Sequence, residues 1–125
     1  MSANINTGIV AIVDDDESMR AAIEDLLSSA GIKARSFPSA EQFLLSGLRN
    51  ETACVISDIR MPGMTGLELQ AKLVAEGSRI PIIFITAYGN TRMRRQALEA
   101  GAIELLGKPF DDESLLGSVR AALAT

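Results

Sequence analysis

Histidine is missing from all 125 residues, which excludes imidazole acid–base catalysis and imidazole metal ligation. A single cysteine, Cys54, rules out an intramolecular disulfide and any cysteine-based metal site. It lies within an apolar run and reads as a small buried hydrophobe. No apolar run approaches the length of a bilayer span. Met1 to Gly8 has neither the basic start nor the hydrophobic stretch of a secretory signal. The expectation is a cytoplasmic soluble domain without membrane contact. Basic charge is in short supply too: 12 Lys and Arg face 16 Asp and Glu, for a net charge of -4. That balance argues against direct nucleic-acid binding, which calls for a basic stripe. What remains is 47% hydrophobic and 22% charged, enough to bury a core. The length suits one domain over 1–125, with residues 1–8 as an irregular N-terminus.

Hydrophobic patterning divides the chain into alternating strands and helices. Ile9 to Val13 is an apolar run of strand length that meets Asp14-Asp15-Asp16-Glu17 at once. Met19, Ala22, Ile23, Leu26, Leu27 and Ala30 then form one helical stripe, ended by Gly31. Lys33 to Phe37 is short and mixed, as suits an edge strand. Ser39 and Gln42 have the spacing of a capping box before a helix that buries Ala40, Phe43, Leu44 and Leu48. Ala53 to Ile56 reads as a buried strand running into Asp58, after which Pro62-Gly63 forces a turn. A third helix is expected from Gly66 to Glu76, a fourth strand from Ile80 to Ile85, and a fourth helix from Thr91 to Ala100. Ile103 to Leu106 is the fifth strand, and a last helix from Asp112 buries Leu115, Leu116, Val119, Ala122 and Leu123. Five strand–helix alternations call for a parallel sheet covered on both faces.

The polar residues gather at one edge of that frame. Asp14 and Asp15 follow the first strand, Asp58 ends the third, Thr86 the fourth, and Lys108 follows the fifth. These are carboxyl ends of parallel strands, where open α/β sheets bind ligands. Asp58 by itself reads either as a cap of the following turn or as a reactive group. With a 2-1-3-4-5 strand order, the first and third strands are neighbours and three carboxylates crowd one pocket. Like-charge repulsion then calls for a cation. Mg²⁺, hard and oxygen-seeking, is the natural one.

Val13-Asp14-Asp15, Asp58 to Gly66 (Asp-Ile-Arg-Met-Pro-Gly-Met-Thr-Gly), Ile85-Thr86-Ala87 and Lys108-Pro109-Phe110 stand in order on these elements. As a set they resemble the receiver domain of two-component response regulators, over Ile9 to Ala122 and most closely its FixJ-like branch. The resemblance implies a flavodoxin-like (CheY-like) doubly wound sandwich of five parallel strands in order 2-1-3-4-5 with five helices. It implies that Asp58 accepts a phosphoryl group from a sensor histidine kinase, and that the domain is a signalling switch rather than an enzyme. Asp14 and Asp15 would hold Mg²⁺ together with Asp58 and the backbone carbonyl of Arg60. Lys108 would pair with the phosphoryl group and Asp58, and Thr86 would donate its hydroxyl to a phosphoryl oxygen. A cis Lys108–Pro109 bond is implied as well. Members of that branch usually carry a C-terminal DNA-binding output domain, which would lie outside this chain.

Several positions depart from the family pattern. Leu105 stands where a Tyr or Phe ring usually swings inward, so it is either an aliphatic relay for Thr86 or simply an edge-strand residue. Gly107 replaces a common Glu, and Ala87-Tyr88-Gly89-Asn90 replaces Gly-His-Gly-Asp. Tyr88 and Arg60, two residues beyond Thr86 and Asp58, are candidates to set phosphoryl lifetime. Arg92, Arg94 and Arg95 are either a solvated face or one side of an interface. Their complement would be Glu104, Asp111 and Asp112 across the two-fold axis of a phosphorylation-dependent homodimer. Two alternatives compete: a haloacid-dehalogenase-type phosphatase and a binding-only pseudo-receiver. The first needs a second Asp two residues after the nucleophile, where Arg60 stands; the second loses acidic or lysine residues that are all present here.

Overall fold

The computed structural model describes residues 8–87 and 89–124. The expectation for the N-terminus therefore lies, apart from Gly8, outside the described residues, as does the one for Tyr88.

Five strands and five α-helices alternate: β1 (Ile9–Val13), α1 (Glu17–Ser29), β2 (Ala34–Phe37), α2 (Ala40–Leu45), β3 (Thr52–Asp58), α3 (Gly66–Ala75), β4 (Ile82–Thr86), α4 (Thr91–Glu99), β5 (Glu104–Gly107) and α5 (Asp112–Leu123). One 3₁₀ turn, Arg49–Glu51, precedes β3. All strand pairings are parallel and the order is β2-β1-β3-β4-β5, as expected. The mixed sequence of β2 suits its place at an edge.

Strand alternation divides the core in two. Ala11, Val13, Val55, Ile82, Phe84 and Leu105 share one cluster with Ala40 and Phe43 of α2, Leu69 and Leu73 of α3, and Ala97 of α4. Val10, Ile12, Cys54, Ile56, Ile83 and Ile85 face the other way, against Ile23 and Leu27 of α1 and Leu115, Leu116, Val119 and Ala122 of α5. Central strands covered on both faces are apolar along most of their length, which is why β1, the middle of β3 and most of β4 read as hydrophobic runs. No helix among the described residues is long and apolar enough to cross a membrane.

Differences from the expected boundaries are small and have local causes. β5 begins and ends one residue later than expected, because Glu104 pairs with Ile83 in the ladder despite its charge. Leu48 lies beyond α2, which stops at Leu45, and packs on the core from the following turn. Ala22 and Ala100 are exposed, small residues at the margin of their stripes. At α2 Ser39 Oγ accepts the Gln42 N–H, the serine half of the expected box. A complete capping box opens α3, where Thr65 and Glu68 satisfy each other's backbone N–H groups.

Candidate active site at the carboxyl edge of the sheet

Register delivers the site. Val13 is level with Ser57, Asp58 with Ile85, and Thr86 with Gly107. The ladder continues past the strand ends: Asp14 N–H donates to the Phe37 carbonyl, Ile59 N–H to Ile85, and Lys108 N–H to Thr86 at 2.8 Å. Asp14, Asp58, Thr86 and Lys108, far apart in sequence, thus converge on one edge.

Asp14 is fully buried. Its Oδ1 accepts the Asp16 N–H at 2.9 Å and its Oδ2 accepts Lys108 Nζ at 3.1 Å. Lys108 Nζ also donates to Asp58 Oδ2 at 3.2 Å, so a single ammonium bridges the two carboxylates. Asp58 Oδ1 accepts the Arg60 N–H at 3.3 Å, which folds the start of the β3–α3 loop back over the strand end. Burial pushes the Asp14 carboxyl above its usual range, against the Asp16 N–H and Lys108, and the nearby charge of Asp58 adds to the rise. For Lys108 burial is the largest single effect and lowers its pKa. The Asp14 hydrogen bond and the charges of Asp14 and Asp58 together outweigh it, holding the ammonium above its ordinary value.

Carboxylate oxygens of Asp14, Asp15 and Asp58 lie within 4.8 Å of one another, with Asp15 exposed at the mouth. Three acids around one ammonium leave an excess of negative charge. A donor set made only of hard carboxylate oxygens, partly open to water, fits Mg²⁺.

Thr86 is buried at the end of β4, on the same face of the sheet as Phe84. Leu105 is buried on the edge strand β5, sharing a cluster with Phe84 and Ala97. Gly89 lies against both: a Cβ there would sit 2.8 Å from Thr86 Cγ2 and 3.1 Å from Leu105 Cδ2. Gly89 of the β4–α4 loop is therefore packed close to both Thr86 and Leu105. Arg60 is exposed.

The candidate interface residues are partly engaged within the chain. Arg94 Nε and Nη2 reach Glu104 Oε1 at 2.9 and 2.8 Å, tying α4 to β5. Asp111 Oδ2 accepts the Ser114 N–H at 3.1 Å and caps α5. Arg92, Arg95 and Asp112 are exposed.

Three contributors escaped the sequence reading. Arg20 Nη1 donates to the Asp14 carbonyl at 2.7 Å, bringing a guanidinium beside the acidic edge. Ser57 Oγ donates to the Asp58 carbonyl at 2.9 Å. Glu41 Oε2 accepts the Met64 N–H at 2.9 Å from across the β3–α3 loop. In sequence the first and third look like ordinary charges on helix surfaces, and no local signal separates them.

Comparison with known proteins bears out the family resemblance. The family model described as response regulator receiver domain matches residues 10–120. The response regulator protein TmoT of Ectopseudomonas mendocina is 42% identical over 120 residues, which cover 96% of this chain and 54% of that protein. The transcriptional regulatory protein FixJ of Bradyrhizobium diazoefficiens is 38% identical over 118 residues, or 93% of this chain and 57% of FixJ. The chain thus spans about half the length of the curated relatives it matches. Among solved structures, the response regulator StyR superposes with a TM-score of 0.86 at 44% identity, covering 93% of this chain and 59% of StyR. FixJ-N superposes with a TM-score of 0.82 at 33% identity, covering 93% of each chain. Sheet order, the acid cluster with its bridging lysine, and these similarities agree: the chain belongs to the response regulator receiver domain family of two-component systems, in its FixJ-like branch.

Proposed function

We propose that Asp58 is the phosphoacceptor of a switch module that takes its phosphoryl group from a sensor histidine kinase. The observation that carries this reading is Lys108 Nζ, held between Asp14 Oδ2 and Asp58 Oδ2 at 3.1 and 3.2 Å. An Asp58 carboxylate oxygen forms the new P–O bond as the P–N bond of phosphohistidine breaks, and the imidazole departs with the N–P electron pair. Lys108 offers an ammonium to the phosphoryl oxygens, and the Thr86 hydroxyl donates to another. Asp14, Asp15 and the Arg60 carbonyl, with Asp58, would hold Mg²⁺, which when bound neutralises phosphoryl charge. The protein's part is positioning and charge compensation, with no general base required. Arg60, and Tyr88 two residues beyond Thr86 in sequence, would limit access of the hydrolytic water and so set phosphoryl lifetime.

Phosphorylation would draw Thr86 inward and repack the α4–β5–α5 face around Leu105, favouring a homodimer and, in a longer protein, a DNA-binding output. Because Arg94 already pairs with Glu104 in its own chain, exposed Arg92 and Arg95 facing Asp112 would supply the intermolecular register. Exposed pairs of this kind contribute about 0–1 kcal/mol each. Apolar contact would therefore supply most of the affinity.

Incubation with acetyl phosphate and Mg²⁺, followed by intact mass, tests the reading. A single phosphoryl adduct on wild type, lost in Asp58→Asn, is expected. Continuous turnover would point to a phosphatase, and no adduct to a binding-only domain.

A further inference from the structure

The segment from Arg60 to Thr65 has to hold its shape with few internal ties. Pro62 brings no N–H. Arg60 N–H is anchored inward to Asp58 Oδ1, and at the far end Gly66 N–H donates to the Ile59 carbonyl at 2.9 Å. Between these two anchors, the Thr65 N–H is held by Glu68 of the following helix α3 at 2.8 Å, and a further contact comes from α2. Glu41, the second residue of α2, extends its carboxylate over the loop and accepts the Met64 N–H at 2.9 Å. Gly63 beside it takes φ +75°, and a Cβ there would lie 2.6 Å from Glu41 Oε2. Position 63 is therefore restricted by its left-handed backbone, and a side chain there would displace this carboxylate. The Met64 N–H, followed by Glu41's own N–H, also holds the Glu41 carboxyl below the usual carboxylate range.

We propose that Glu41 is a positioning residue for the phosphoacceptor loop: by fixing Gly63 and Met64 from α2, it sets the turn that presents the Arg60 carbonyl beside Asp58. Glu41 touches neither Asp58 nor the phosphoryl group. Its effect passes through the backbone between residues 60 and 64. The inference rests on Asp58 being phosphorylated with Mg²⁺ beside it.

Glu41 is exposed, so its variants should fold, and circular dichroism would check that they do. Three proteins are compared: wild type, Glu41→Ala and Glu41→Gln, the last keeping a carbonyl oxygen at the same reach. Backbone amide exchange by NMR reads the Met64 N–H, calorimetry reads Mg²⁺ affinity, and intact mass reads the acetyl phosphate reaction rate. In Glu41→Ala, Met64 exchange should rise about tenfold, as expected when a charge-assisted hydrogen bond is lost. Mg²⁺ affinity and phosphorylation rate should fall about three- to tenfold, as a small misplacement of a reacting group produces. Glu41→Gln should recover most of all three. Unchanged Met64 exchange, or Mg²⁺ affinity equal in all three proteins, would overturn the inference. Wild type that binds Mg²⁺ but takes no phosphoryl group would instead overturn the proposed function.

Discussion

Gly66 lies so close to Asp58 that a Cβ at Gly66 would stand 2.4 Å from the Asp58 carbonyl oxygen. The same Cβ would meet Ile59 Cα at 3.0 Å and Ser57 Oγ at 3.1 Å. Two of these three neighbours are backbone at the end of a central strand, which cannot swing aside as a flexible side chain can. The first residue of α3 thus serves as the surface on which β3 ends.

Gly66→Ala should therefore push α3 and β3 apart. Overpacking of this kind costs about 1–3 kcal/mol. Urea denaturation should show that loss, and acetyl phosphate labelling should show a slower reaction at Asp58. A variant as stable and as reactive as wild type would mean that the helix shifts freely.

Asp14, Asp15 and Asp58 surround one lysine, so a ligand that supplies positive charge to the folded state should stabilise it. Wild type should show a rise in Tm with added Mg²⁺. Asp15→Asn removes the exposed member of the cluster and should largely abolish that rise. An undiminished rise would remove Asp15 from the ligand set.

Cys54 is fully buried in β3, and burial pushes its thiol up to about 12. Only thiolates react readily with disulfide reagents. Native protein at pH 8 should therefore give almost no thionitrobenzoate on mixing with Ellman's reagent, and one equivalent once denatured. Rapid labelling of the native state would contradict the packing of β3.

Glu76 accepts from Lys72 Nζ at 3.0 Å and from Arg49, and these hydrogen bonds hold its carboxyl below the ordinary value of 4.5. A depressed folded pKa contributes stability that is present above the unfolded value and is lost as pH falls through the folded one. Replacing Glu76 by Gln should lower Tm slightly at pH 7 and leave it nearly unchanged well below pH 4. Equal losses at both pH values would mean that the side chain acts through packing.

The architecture was legible because each buried strand is an apolar run that stops at a polar residue. Ile12-Val13 gives way to Asp14, Ile56-Ser57 to Asp58, and Ile85 to Thr86. Carboxyl ends of parallel strands share one edge, so Asp14, Asp15, Asp58, Thr86 and Lys108 fall together once the strands are placed. What stayed hidden depends on three-dimensional reach. Glu41 and Met64 are 23 residues apart, and their bond exists only after α2 has packed beside the β3–α3 loop. Arg94 and Glu104 are only 10 residues apart, yet their pairing depends on how α4 lies along β5. Ala22 belongs to the helical stripe of α1 yet is exposed, because position on a stripe does not fix depth at its margin.

Asp14 and Lys108 are separated by 94 residues and meet at 3.1 Å. Closing so long a stretch of chain carries a large entropic cost that only the completed sheet repays. A folding intermediate that has assembled β1 and β3 but not yet docked β5 would hold the acid cluster without its ammonium. It would carry Asp58 and still lack the Lys108 counter-charge on which the proposed phosphoryl acceptance depends. On the proposed function, competence at Asp58 would thus depend on the docking of β5.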